Sequence, residues 1–234
     1  MQAWWLAVPD ARGTALLAHG IGGTRAAMLG RMRLLGELGW SSLSIDLHAH
    51  GENPGRRVGL GRRESEDLRA ALKWLVHSSA PSPRLGLGIS LGGAAFAVAD
   101  PPLELDGLLL ESVHASLFAA VRERVEVRLP GAHNPLSPVL AWLLCSQAPL
   151  WIGASAAELS PTAGLADVHV PLALFAGERD ELSTPAETRR MAVACGVEPV
   201  WFPEAGHEDL LTRHPALYRS ALEAFLSELS ASAL

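Results

Sequence analysis

A serine between glycines is the residue of this chain best placed for nucleophilic chemistry. The pentapeptide Gly88–Gly92 has Ser90 at its centre, follows the apolar run Leu85–Leu87 and precedes a helix-prone stretch. A tight strand-to-helix turn strains the backbone of its central residue, and glycines two positions to either side remove the Cβ clashes. The pattern predicts that the Ser90 hydroxyl projects from the C-terminal edge of a sheet. Because ordinary βα turns use similar residues, catalysis requires partners elsewhere in the chain.

Two short motifs after predicted strands offer an acid and a base. Asp180 closes the sequence Gly-Glu-Arg-Asp, and His207 lies in Gly-His-Glu before the last predicted helix. A serine hydroxyl is a weak nucleophile unless a base accepts its proton, and a carboxylate orients that base. The chain order Ser90, Asp180, His207 therefore predicts a catalytic triad. Three other carboxylates remain alternatives for the acid: Glu111, Glu181 and Asp209.

A glycine-rich loop supplies the third requirement of acyl transfer. The segment His19–Gly23 ends a predicted strand and contains three glycines. Rigid backbone N–H groups stabilise the oxyanion of acyl transfer, and losing one such donor lowers the rate about 100- to 1000-fold. We predict that the N–H groups of Ile21 and Leu91 form this oxyanion hole.

Strand-like and helix-like segments alternate along the chain and must position these residues. The predicted strands are 3–8, 14–18, 40–46, 84–89, 105–111, 172–176 and 198–202. The predicted helices are 25–38, 63–78, 91–99, 114–128, 136–147, 185–195 and 211–229. Continuously apolar strands are typical of a parallel sheet covered on both faces, so we predict an α/β fold with about seven strands. The first two strands are predicted to form an antiparallel hairpin, and residues 1–234 to form one domain.

Residues 113–170 interrupt the alternation. This stretch is too long for a simple connection between a strand and a helix. Trp142 and Trp151 would place more apolar surface in the solvent than an exposed helical pair normally shows. We therefore predict a small helical cap over the sheet edge, with both tryptophans contacting substrate. An ordinary surface pair of helices is the alternative.

These motifs together resemble those of the α/β-hydrolase fold, in its dienelactone hydrolase/prolyl-oligopeptidase-like branch, over nearly the whole chain. The matching segments are residues 19–23, 46–52, 88–93, 177–180 and 205–207. The resemblance implies a Ser-His-Asp hydrolase without a cofactor. Two departures occur in a loop near the site: His48-Ala49 stands where relatives often carry Arg-Gly, and Asn53 stands where they often carry Ser.

Composition excludes several other classes of function. Hydrophobic residues make up 49% of the chain and charged residues 19%, which favours a folded core over disorder. The net charge of −6 and the absence of a basic run argue against nucleic-acid binding. No stretch reaches the roughly 18 apolar residues that span a bilayer, and the N-terminus lacks the features of a signal peptide.

The potential metal ligands and the two cysteines point to no metal site. Asp46, His48 and His50 alternate and would share one face of a strand, but no second ligand cluster accompanies them. We predict no metal. Cys145 and Cys195 lack metal-type spacing and indicate a reducing compartment, the cytoplasm, although a disulfide between them is an open alternative.

The function expected from these features is hydrolysis of carboxylic esters with small to medium acyl chains through an acyl-enzyme. The expected partner is a small-molecule ester, and the expected assembly is a monomer or small homo-oligomer. Two alternatives remain: a peptidase or amidase of the same fold, and a non-catalytic binding protein on a hydrolase scaffold.

Overall fold

The computed structural model describes residues 1–129 and 135–232 and contains strands and helices in alternation. The strands are β1 (Ala3–Leu6), β2 (Thr14–Ala18), β3 (Ser41–Ile45), β4 (Arg84–Ile89), β5 (Gly107–Glu111), β6 (Leu172–Gly177) and β7 (Val200–Phe202). The helices are α1 (Leu29–Glu37), α2 (Arg62–His77), α3 (Leu91–Ala97), α4 (Leu117–Arg128), α5 (Ser137–Ser146), α6 (Ala148–Trp151), α7 (Pro161–Gly164), α8 (Pro185–Cys195), α9 (Leu210–Arg213) and α10 (Pro215–Ser232). Short 3₁₀ turns at Arg25–Met28 and Leu165–Asp167 precede α1 and follow α7.

The strands form one seven-stranded sheet in the order β1-β3-β2-β4-β5-β6-β7. All neighbouring pairs from β3 to β7 are parallel, which confirms the predicted α/β architecture. The first strand is antiparallel as predicted, but its partner is β3, with Ala3 opposite Ile45. It does not form a hairpin with β2, because β2 is paired on both edges by β3 and β4.

Helices cover both faces of the sheet. Leu16 on β2 packs into the apolar cluster beneath α2, α3 and α8, whereas Leu17 packs into the cluster beneath α1 and α10. Both leucines are completely buried. Since successive side chains of a strand point to opposite faces, a strand covered on both sides must be apolar throughout. The parallel strands thereby hold their C-terminal ends along one edge.

The segment between β5 and β6, residues 112–171, contains α4, α5, α6 and α7. Helix α4 begins three residues after the predicted start because the Ser116 side chain accepts a hydrogen bond from Ala119 N and caps the helix. A small apolar cluster that includes Leu117 and Leu159 holds the segment together. The outer face of α5 and α6 is exposed: Leu150 is 79% accessible to solvent.

The two cysteines lie on different elements, Cys145 on α5 and Cys195 at the end of α8, and both are free thiols. This answers the question about a disulfide that the sequence left open. Across the described ranges, no helix combines the length and apolar character needed to cross a membrane.

Candidate active site

Ser90 occupies a strained turn between β4 and α3. Its φ of +49° lies in the left-handed region, and its N–H donates to the Glu111 carbonyl at 2.8 Å. A Cβ on Gly88 would lie 2.5 Å from Gly93 N, and a Cβ on Gly92 would lie 2.4 Å from Ala18 O. Glycine is therefore required at both positions, since any side chain would push α3 away from β2 and β4.

Asp180 and His207 meet at the same edge of the sheet, after β6 and β7. His207 Nδ1 lies 2.9 Å from Asp180 Oδ2 and 3.1 Å from Oδ1. Asp180 is completely buried, and its Oδ1 accepts from the N–H groups of Leu182 and Ser183 at 2.8 Å each. This arrangement orients the imidazole and leaves its Nε2 for proton transfer. In the described part of the chain, His207 hydrogen-bonds Asp180 but not Ser90. Hydrogen bonds between a catalytic nucleophile and its base often shorten only when substrate binds.

The alternative acids have other partners. Glu111 is 1% exposed, and its two oxygens accept from Arg31 Nε at 2.8 Å and Nη2 at 2.6 Å. The Tyr218 hydroxyl also donates to Glu111. Asp209 accepts from Arg31 Nη1 at 2.7 Å and caps α9, while Glu181 is exposed. Arg31 thus ties the strand beside Ser90 to the loop that follows His207.

A buried histidine holds the glycine-rich loop. His19 is completely buried, and its Nε2 accepts from Leu47 N at 3.1 Å. Its Nδ1 therefore carries the proton and donates to Gly20 O at 2.8 Å. Burial, together with His50, lowers the pKa of His19, which favours this neutral form. The loop places Ile21 in the same cleft as Ser90 and Leu91.

This cleft has a volume of about 140 Å³, and its walls are mainly apolar. Helix α4 forms one wall with Leu117, Ala120, Val121 and Arg124. Small acyl chains fit a space of this size and character.

The predicted substrate contacts of Trp142 and Trp151 are not found in this cleft. Trp142 is 62% exposed and Trp151 57% exposed on the outer side of the segment. The guanidinium of Arg57 stacks on the Trp151 ring at 4.6 Å. Trp142 lies on α5, which is apolar around its circumference, so hydrophobicity alone does not identify the inward face of that helix.

Sequence reasoning missed two polar residues that line the cleft, His114 and Arg124. His114 is 8% exposed, and its Nδ1 has no hydrogen-bond partner among the described residues. Burial lowers the pKa of His114 to about 4, with further contributions from Arg124 and His207, so the ring is neutral at pH 7. The sequence signal for Arg124 is its position seven residues after Leu117, on the same helical face.

Within residues 1–129 and 135–232, no group of three or more His, Cys, Asp or Glu side chains is arranged to hold a metal ion. Asp46, the first of the alternating residues, instead accepts from Arg25 N at 2.7 Å and from Glu52 N at 3.0 Å. The Asp46 carboxylate therefore joins the loop that follows β3 to the segment that begins at Arg25.

Comparison with known proteins identifies the class to which this fold and site belong. The model of the alpha/beta hydrolase family matches residues 15–221. The chain therefore belongs to the alpha/beta hydrolase family. The narrower branch suggested by the motifs stays a prediction. No match is found among curated proteins.

Several solved structures share the fold. An esterase of Pyrococcus furiosus superposes with a TM-score of 0.76 at 22% identity, over 97% of this chain and 85% of that one. A thermophilic esterase of Thermogutta terrifontis, with malate bound, gives a TM-score of 0.68 at 21% identity, over 98% and 93%. A proline iminopeptidase of Mycobacterium smegmatis gives 0.70 at 16% identity, over 99% and 96%.

Proposed function

We propose that this protein is a serine hydrolase that cleaves carboxylic esters through an acyl-enzyme, with Ser90, His207 and Asp180 as its triad. The observation that carries the proposal is the buried Asp180 carboxylate hydrogen-bonded to His207, on the edge where Ser90 projects from a strained turn. Strain of this kind persists where the surrounding structure enforces it, and it is frequent at catalytic residues. A binding protein has no need of a base, an acid and a strained serine together.

The reaction has two halves, and in each half His207 acts first as a base and then as an acid. Ser90 Oγ attacks the ester carbonyl carbon while His207 Nε2 accepts its proton, and the backbone N–H groups of Ile21 and Leu91 stabilise the resulting oxyanion. The ester C–O bond then breaks, and the leaving alcohol takes the proton from His207. Water, deprotonated by His207, attacks the acyl carbon of the acyl-enzyme. The bond between that carbon and Ser90 Oγ breaks, Oγ takes the proton from His207, and the carboxylic acid is released. Asp180 stabilises the imidazolium in both halves.

The apolar lining of the cleft favours substrates with a small to medium acyl group. Leu60, Leu117 and Val121 offer apolar contacts beside Ser90. Esterases are among the proteins of similar fold, as is an iminopeptidase, so turnover of ester against amide substrates is measured directly in the test.

Active-site labelling tests the proposal. Purified protein is treated with a fluorophosphonate probe and assayed on 4-nitrophenyl butyrate and on proline 4-nitroanilide. We expect labelling and ester turnover by the wild type, loss of both in Ser90→Ala, and much slower turnover of the anilide. An unlabelled, inactive wild type would indicate the binding-protein alternative, and faster turnover of the anilide would indicate a peptidase.

A further inference from the structure

One wall of the cleft combines apolar side chains with a single cation. Leu117, Ala120, Val121 and Arg124 stand at positions i, i+3, i+4 and i+7 of α4 and share one face of the helix. With a rise of 1.5 Å per residue, this row spans about 10 Å. The wall therefore carries three apolar side chains and one charged side chain, and His114 lines the same cleft.

Arg124 has no carboxylate partner among the described residues. Its Nη1 donates only to the Ala120 carbonyl of its own helix, at 2.9 Å. The neighbouring Arg122, in contrast, pairs with Glu126 at 3.6 Å. Residues 130–134 read Pro-Gly-Ala-His-Asn and contribute no acidic side chain. A guanidinium in partly buried surroundings favours an anionic partner, because removing it from water costs free energy that an ion pair offsets.

Arg124 faces the site, because it lines the same cleft as Ser90. It contributes to the lowered pKa of His114, which lines the same cleft. Burial lowers the pKa of Arg124 itself, and the carboxylates of Glu123 and Asp180 only partly oppose this effect. Glu123 makes no ion pair with Arg124: its Oε1 accepts from Thr184 Oγ1 at 3.0 Å, and its Oε2 makes no hydrogen bond in the described ranges.

His114 is a second polar group without an internal partner. It is more than nine-tenths buried, and its Nδ1 makes no hydrogen bond in the described ranges. A neutral imidazole can donate one hydrogen bond to a ligand oxygen without adding charge. The cleft therefore offers one full positive charge and one neutral hydrogen-bonding group in otherwise apolar surroundings.

We propose that Arg124 binds a free carboxylate carried by the substrate, so that the preferred substrates are esters with one carboxylate besides the ester group. This inference rests on the proposed function, because Ser90 must attack the ester while Arg124 holds the carboxylate. A planar guanidinium binds a carboxylate through two parallel hydrogen bonds, and exclusion of water by Leu117 and Val121 strengthens that contact. The carboxylate is either on the acyl part or on the alcohol part of the ester.

Two matched pairs of substrates distinguish these two sources. On the acyl side, mono-4-nitrophenyl glutarate is compared with 4-nitrophenyl pentanoate, which has a methyl group in place of the carboxylate. On the alcohol side, 4-carboxyphenyl acetate is compared with 4-carbamoylphenyl acetate. We expect the wild type to prefer the anionic member of one pair about 10- to 100-fold in kcat/KM.

Variants of α4 assign the preference to the guanidinium. Arg124→Met is expected to abolish the preference for the anionic ester, and Arg124→Lys to retain part of it. Arg122→Met is the matched control, because Arg122 lies on the same helix, pairs with Glu126 and does not line the cleft, and we expect it to leave the preference unchanged. A wild type with no preference in either pair would overturn the proposal, as would equal losses on both members of a pair in Arg124→Met.

A binding measurement separates this proposal from the proposed function. Calorimetry with glutarate and with 4-hydroxybenzoate requires no turnover and is performed on wild type and Arg124→Met. We expect at least about 10-fold weaker binding of one of these acids to the variant. If neutral esters are hydrolysed and neither acid binds, the carboxylate site is wrong and the esterase stands. If an acid binds through Arg124 but no ester is hydrolysed, the site exists and the proposed function fails.

Discussion

The loops after the strands and the segment of residues 112–171 are built in different ways. Ser90, Asp180 and His207 follow strands, and main-chain hydrogen bonds fix the first two: Ser90 N–H to Glu111, and the N–H groups of Leu182 and Ser183 to Asp180. The segment of residues 112–171 has a small apolar cluster of its own and exposes leucines and tryptophans on its outer face. Main-chain contacts thus set the position of the reacting groups, while side chains of one helix, α4, line the space for substrate.

The largest expected difference between the two regions concerns the acid. In Asp180→Asn the amide favours the wrong tautomer of His207, so we expect kcat on 4-nitrophenyl butyrate to fall about 10⁴-fold. Glu181→Gln, which changes the next residue along the chain, should alter kcat less than about 2-fold because the Glu181 side chain is exposed. Equal losses in the two variants would show that the acid is assigned wrongly.

The second prediction tests the buried ion pair behind the loops. Arg31→Met leaves the Glu111 carboxylate buried without its charge partner, so we expect the free energy of unfolding to fall by about 3–5 kcal/mol. Urea denaturation measures this. Arg33→Met on the exposed side of α1 should cost less than about 0.5 kcal/mol. Equal losses of stability in both variants would show that the Arg31–Glu111 ion pair does not stabilise the edge of the sheet that carries Ser90.

The third prediction concerns Glu123, where the two regions touch through Thr184. Burial, reinforced by Glu187, raises the pKa of Glu123 to about 7. A raised pKa in the folded state means that stability falls as pH rises from the unfolded value through 7. Glu123→Gln cannot ionise, so we expect it to gain on the order of 1 kcal/mol over wild type at pH 8 and nothing at pH 4. Urea midpoints at the two pH values measure the difference, and an equal effect at both would contradict it.

The smallest expected effect belongs to the outer face of the segment. Trp142→Ser removes an exposed ring away from the cleft and should change kcat/KM on 4-nitrophenyl butyrate less than about 2-fold. Leu117→Ser, on the inner face of α4, should lower kcat/KM more, because it removes an apolar wall beside Ser90. A larger loss in Trp142→Ser would mean that the outer face takes part in substrate binding.

Local sequence patterns were sufficient to predict most of the strands of the sheet. The predicted bounds of β2 and β4 agree with the structure, because a continuous apolar run between turn residues determines a buried strand. The pairing of β1 was predicted wrongly because it joins Ala3 to Ile45, far apart in the chain. Pairing at that distance depends on which edges remain free once the parallel strands have assembled, and no local pattern records this.

Buried polar residues were the main omission at the site. Arg31 stands three residues after Met28 and four before Leu35, which places it on the inward face of α1. That spacing was visible, but its partner Glu111 lies 80 positions further along the chain. His114 and Arg124 were missed for the same reason: the cleft that surrounds them exists only after α4 has packed onto the sheet edge.

The contact of Gly92 with Ala18 bears on how this molecule could be redesigned. A Cβ at Gly92 would meet the Ala18 carbonyl at 2.4 Å, so main-chain atoms set the spacing between the strained turn at Ser90 and the glycine-rich loop that begins at His19. The residues of α4 that face the cleft belong to a separate segment. Libraries that randomise α4 should therefore yield new substrate ranges on an unaltered reaction centre, whereas libraries at the glycines should yield mostly unfolded protein.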